Sequence, residues 1–156
     1  MQIKDIMCDD VVSVSPDASV KEAAKKMRDG NCGTVAVIED GRLVGMLNDR
    51  QIAVNVVAGG RNPSRVQVGE VMSKRLVTST PEMDIIDAAK IMGKHHFRRL
   101  PVVDREHHLR GIVSICDLSR PLKEYTDSVL DELIRERPTR PARFGESQTM
   151  PQWMFA

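Results

Sequence analysis

Two short stretches share one frame: GMLNDRQIA from Gly45 to Ala53 and GIVSICDLS from Gly111 to Ser119. Their polar pairs are Asn48-x-x-Gln51 and Ser114-x-x-Asp117, so a carboxylate stands in one copy only. The spacing fits a helix start, where Ser or Asn caps an amide and a residue three positions on reaches back. Capping needs no charge, and Gln serves there as Asp does. A ligand does use the charge. A carboxylate offers two acceptor oxygens at the spacing of a sugar 2′,3′-diol, each charge-assisted bond contributing roughly 1.5–3 kcal/mol. A carboxamide has one acceptor oxygen and no charge. A helix start bearing a Ser hydroxyl also favours phosphate. For Ser114 and Asp117 the cap and the ligand contact are both open readings. For Asn48 and Gln51 the cap reading leads, and a degenerate or empty cleft is expected. The glycine opening each frame is read as easing the passage from strand to helix.

His95-His96 and His107-His108 are doublets near the start and the turn of one hairpin, and neighbouring strand residues face opposite sides, so each doublet offers a single inward imidazole. No acidic or thiol cluster is placed in the sequence to complete a metal site, so no metal is expected. HHFRR (95–99) is a small basic patch with one aromatic, and a net charge of +1 argues against nucleic acid. Cys116 sits at a helix start beside Asp117, where the dipole favours a thiolate and the carboxylate opposes it; a buried thiol is the expectation. There is no P-loop, no GxSxG elbow and no Cys with a matched His, so no catalysis is expected.

The elements that must hold these residues come in two copies. At an offset of 65, Met7 falls on Met72, Val12 on Val77, Pro16 on Pro81 and Val37 on Val102; one extra turn residue then sets Gly45 on Gly111. Repeats of this length are similar supersecondary units, each unable to bury its apolar face alone. SVKEAAKKMRDG (19–30) sets Val20, Ala23, Ala24 and Met27 on one helical stripe, with Ser19 and Glu22 as a capping box and Gly30 as the stop. Its partner stripe is Ile85, Ala88, Ala89 and Met92. A hairpin over 34–48 turns at Asp-Gly, and its counterpart over 99–114 has a longer turn. A second helix follows each hairpin. Further on, YTDSVLDELIRER (125–137) carries Val129, Leu130, Leu133 and Ile134 on one face, and 138–156 is Pro-rich, polar and aperiodic, hence a flexible tail.

The core has few aromatics, at 3%, and must be built from aliphatic residues, Ala and nine Met. No apolar run approaches the roughly 20 residues of a membrane span, and MQIKDIMCDD is too polar for a signal peptide. Three cysteines without metal spacing fit a reducing cytoplasm.

Extended lead-in, helix, hairpin and helix, met twice, resembles a tandem pair of cystathionine-beta-synthase (CBS) domains, a Bateman module. The residues that carry the resemblance are DIMCDDVVSVSP with EVMSKRLVTSTP, RRLPVVD, and GMLNDRQIA with GIVSICDLS, across about residues 3 to 120. It implies an α/β (α+β) fold in which two repeats pack sheet to sheet about a pseudo-twofold axis. The divisions are then 1–60, a linker over 61–67, 68–121, a C-terminal amphipathic helix within 122–137 and the tail over 138–156. It also implies a regulatory module, not an enzyme, that takes AMP, ADP or ATP in a cleft between repeats and signals through altered packing, within a homodimer or to a protein partner. The implied roles are Asp117 on ribose, Ser114 on phosphate, and Arg99 on the phosphates with Arg98 assisting. Ser15, Cys32, Gly33 and Thr34 match the adenine pocket. Solvated strand-edge charge is the other reading of the arginines, and ordinary turn chemistry that of the remaining four. Ala36 stands where the second repeat has the family's proline, Pro101. Two alternatives stay open: a ligand-free interaction module working through the C-terminal helix and tail, and a sensor of S-adenosylmethionine.

Overall fold

The structure, a computed structural model, describes residues 1–121. The helix expected within 122–137 and the tail over 138–156 lie outside the described residues. In the first repeat, strand β1 (Ser13–Val14) leads to helix α1 (Val20–Asp29), the hairpin β2 (Thr34–Glu39) and β3 (Arg42–Asn48), and helix α2 (Asp49–Ile52), which runs on as one π turn over Ala53–Val57. The second repeat has α3 (Val68–Val71), α4 (Ile85–His95), the hairpin β4 (Arg99–Val103) and β5 (Leu109–Ser114), and α5 (Ile115–Ser119).

The local chemistry accounts for these boundaries. Ser19 accepts the Glu22 amide at 3.2 Å and Gly30 closes α1. Asp84 caps α4 by accepting the Ile86 amide. Asp40 and Gly41, both at positive φ, make the two-residue turn that suits the twist of a hairpin. β1 pairs parallel to β2, and a lone parallel bridge from Ser79 to Val102 repeats that pairing. Each hairpin also carries a bulge at the same place, after Val37 and after Val102.

One stripe is narrower than expected. Val20, Ala23 and Met27 are buried, but Ala24 is exposed, whereas its counterpart Ala89 is buried with Ile85, Ala88 and Met92. The second unit is closed by Leu118 of α5, fully buried and contributing about 1.5–3 kcal/mol of hydrophobic stabilisation. The corresponding Ile52 is only partly buried.

The lead-in segments are exchanged. Ile3 is buried in the core of the second repeat, and backbone bonds from Ile3 to Met83 and Lys4 to Pro81 hold it there. Val66, Val68 and Val71 are buried in the core of the first, through bonds from Val20 to Val66 and Val68 to Ala18. A third cluster of Ala36, Leu43 and Val103, with Ile38, Met46 and Leu109 packed on it, joins the two sheets.

This exchange gives the frame glycines a different purpose from the one expected. Both lie within strands, with no special φ. A side chain on Gly45 would overlap the Met72 thioether, and one on Gly111 would come 2.7 Å from the Cys8 carbonyl oxygen and 2.9 Å from the Met7 sulfur. The glycines make room for the lead-in of the other repeat.

Candidate functional site

The strand starts of the two repeats meet. Thr34 opens β2 and Arg99 opens β4; they are one position of the repeat, and the Arg99 guanidinium reaches the Thr34 hydroxyl at 3.5 Å. Beside this contact lies a cavity of about 530 Å³, within the usual size of a small-ligand site. The first repeat lines it with Gly33, Thr34 and Asn48 to Gln51, the second with Ser73, Arg75, His96 to Arg99 and Pro101.

Its charge is lopsided. Arg50, Arg75, Arg98 and Arg99 bring four guanidinium groups to the lining, against the carboxylate of Asp49. Arg75 and Arg98 make no ion pair among the described residues. Guanidinium groups offer planar, paired donors that suit phosphate oxygens. Asn48, Thr34 and Ser73 add neutral polar groups, and Phe97 and Leu76 supply apolar wall.

Gln51 uses both ends of its amide inside the protein. Its oxygen accepts the Asn48 amide N–H at 2.9 Å, and its nitrogen donates to the Ser73 hydroxyl at 2.8 Å, while Asn48 Oδ1 accepts the Gln51 N–H. Asp49, next to the cap, accepts the Arg50 N–H through Oδ1 at 2.7 Å, and its Oδ2 lies so close over Gly33 that a Cβ there would meet it at 2.8 Å. In the second repeat, Asp117 Oδ2 accepts both the Ser114 N–H at 2.8 Å and the Ser114 hydroxyl at 2.6 Å. Asp117 Oδ1 accepts no hydrogen bond among the described residues. The capping box is therefore present in both copies.

The eight residues singled out from the sequence divide. Arg98, Arg99, Gly33 and Thr34 line the cavity together with Asn48 to Gln51. Ser114 and Asp117 pair with each other at the head of α5 and are not in that lining. Ser15 is exposed, its hydroxyl accepting the Asp17 N–H at 3.3 Å, and Cys32 packs partly buried on the first core; neither lines the cavity. The cavity thus lies at the Asn48–Gln51 end, where an empty or degenerate cleft was expected. Sequence reasoning missed Asp49, Arg50, Ser73 and Arg75. The repeat offset held a signal, because it equates Thr34 with Arg99 and so sets the start of α2 beside the start of β4.

Two smaller expectations also change. Cys116 is exposed, since the second position of α5 points away from the core face that Leu118 occupies. His108 has acidic neighbours after all: Asp104, Glu106 and His108 hold potential ligand atoms within 4.8 Å. Asp104 is already saturated, however. It accepts the N–H groups of Glu106 and His108 and pairs with Arg110 at 2.7 Å and with His108 at 3.3 Å. Partial burial pushes its carboxyl up, but these bonds and the Arg110 charge outweigh it and hold the carboxyl below its ordinary value. The group is accounted for as a turn lock.

Two exchanged repeats around a polar cleft define a tandem domain pair. The chain belongs to the CBS-domain family, whose model matches residues 3–57 and 68–124. It is 44% identical over 117 residues to the CBS domain-containing protein YhcV of Bacillus subtilis, covering 75% of this chain and 82% of YhcV. Among solved structures, Hypoxic Response Protein I with two coordinated zinc ions is 31% identical with a TM-score of 0.70, over 77% of this chain and 98% of that one. The CBS domain pair of protein MJ0100, in complex with 5′-methylthioadenosine and S-adenosyl-L-methionine, is 26% identical with a TM-score of 0.70, over 80% and 97%. No helix among the described residues is long and apolar enough to cross a membrane.

Proposed function

We propose that this CBS pair is a non-catalytic cytoplasmic regulatory module that binds an adenine nucleotide, AMP, ADP or ATP, between its repeats. The observation that carries the reading is the 530 Å³ cavity in which arginines of both repeats converge. Arg98 and Arg99 take phosphate from the second repeat, with Arg50 and Arg75 completing a cationic wall. A second, repeat-related contact set outside this cavity has Asp117 on ribose through its open Oδ1 and Ser114 on phosphate, with Ser15 and Cys32 toward the base, while Gly33 and Thr34 line the cavity itself. A ligand spanning both repeats shifts their packing across the Ala36–Leu43–Val103 cluster only as far as its affinity differs between the two arrangements. That shift is passed to a partner or within a homodimer.

Calorimetry on the full chain tests this. ATP binds the wild type, and the double variant Arg98→Ala with Arg99→Ala loses at least about tenfold in affinity, as expected for two charge-assisted contacts. Unchanged ATP affinity in the double variant contradicts the assignment. S-adenosylmethionine is the second reading, motivated by the ligands of MJ0100. Tighter binding of S-adenosylmethionine than of ATP in the same titrations favours it.

A further inference from the structure

Gln51 occupies the frame position whose counterpart is Asp117, and both ends of its amide are already engaged within the protein: its oxygen accepts from Asn48 and its nitrogen donates to Ser73. The cavity nevertheless contains a carboxylate two residues earlier. Asp49 is exposed, lines the cavity, and lays Oδ2 over Gly33, which the absence of a Cβ permits. Oδ1 is fixed by the Arg50 N–H, so the carboxylate is oriented, and Oδ2 accepts from no donor among the described residues. Among the described residues it is the only acid in a lining with four arginines.

An acid that neutralises part of a phosphate site weakens it for phosphate alone, and its benefit must come from another part of the ligand. A sugar diol, with two donors at the spacing of a carboxylate, supplies that benefit. We infer that Asp49 is the sugar-reading residue of this cavity, standing in for the amide-locked position 51, so that the site takes a phosphorylated nucleoside with an intact ribose diol. The inference rests on the nucleotide reading above and names the residue that gives it ribose selectivity. Arg50, Arg75, Arg98 and Arg99 hold the phosphates, and Asp49 separates a nucleotide from a bare polyphosphate.

The test is calorimetry on the full chain with ATP, 2′,3′-dideoxy-ATP and inorganic tripolyphosphate, for wild type and Asp49→Asn. The wild type prefers ATP over the dideoxy form by about tenfold or more. Asp49→Asn loses most of that preference and binds tripolyphosphate as well as or better than the wild type. A preference unchanged by Asp49→Asn overturns the inference and leaves nucleotide binding intact. A wild type that binds none of the adenine ligands overturns the nucleotide reading itself. A thermal melt of the variant confirms that the cap at Asn48 and the fold are retained.

Discussion

Gln51 and Asp117 show how one frame position is set by what faces it. Residue 73 is a serine and its repeat counterpart is Cys8, so in the first repeat a hydroxyl waits across the cleft and the amide nitrogen of Gln51 meets it. In the second no such bond forms, and Asp117 turns one oxygen to Ser114 for both of its donors. The sequence made the shared cap legible, because capping is a contact three residues long. It could not make the Ser73 contact legible, because that contact spans 22 residues and depends on the exchanged lead-in. Residue-scale electrostatics also predict a pH profile. The Gln67 N–H and then Arg61 hold the Glu70 carboxyl below its ordinary value against some desolvation, and the Ile86 N–H and the N-terminal ammonium do the same for Asp84. Depressed carboxyl pKa values mean that the unfolded chain binds protons first. The stability they contribute is complete above the ordinary carboxylate value of about 4 and is lost as pH falls through the lower folded values. Melting temperature should hold between about pH 7 and 5 and drop below about 4, less steeply for Asp84→Asn, which keeps the cap. A melting temperature that rises on acidification through that window contradicts this.

Helices and hairpins were readable because their signals are periodic and local: the Val20 and Ile85 stripes, the Asp40-Gly41 turn and the Ser19 cap all stand where the pattern sets them. The exposure of Ala24 was not readable, since the closing of each helix depends on how deeply the last short helix of its repeat is buried. Nor was the purpose of Gly45 and Gly111, whose neighbours come from the other repeat's lead-in. The two glycines should differ when tested. Gly111→Ala drives a methyl toward the backbone carbonyl of Cys8, which cannot move without breaking its pairing with Ile112, and costs about 1–3 kcal/mol of overpacking. Gly45→Ala meets the flexible Met72 side chain, which can rotate, and costs less. Urea unfolding of both variants checks the order; equal losses, or a larger loss at Gly45, would show that the carbonyl yields at least as readily as the thioether.

Across the whole molecule, the 65-residue offset disclosed two units, and the inability of each to bury its face alone is met by exchange: Ile3 completes one core, and Val66, Val68 and Val71 the other. The same symmetry brings Thr34 to Arg99 and opens the arginine-lined cavity between the units, so a ligand there touches both halves at once. On the proposed reading, that placement lets a small anion report on the packing of the entire pair. Adenine-nucleotide binding between the repeats is the central claim, and a thermal-shift series on the full chain with AMP, ADP, ATP, S-adenosylmethionine and NAD tests it most directly. At 100 times its dissociation constant a cognate ligand stabilises the fold by about 2.7 kcal/mol. At least one of the adenine mono-, di- or triphosphates should raise the melting temperature in a saturable, salt-sensitive way; no shift with any of the three at millimolar concentration would contradict the account.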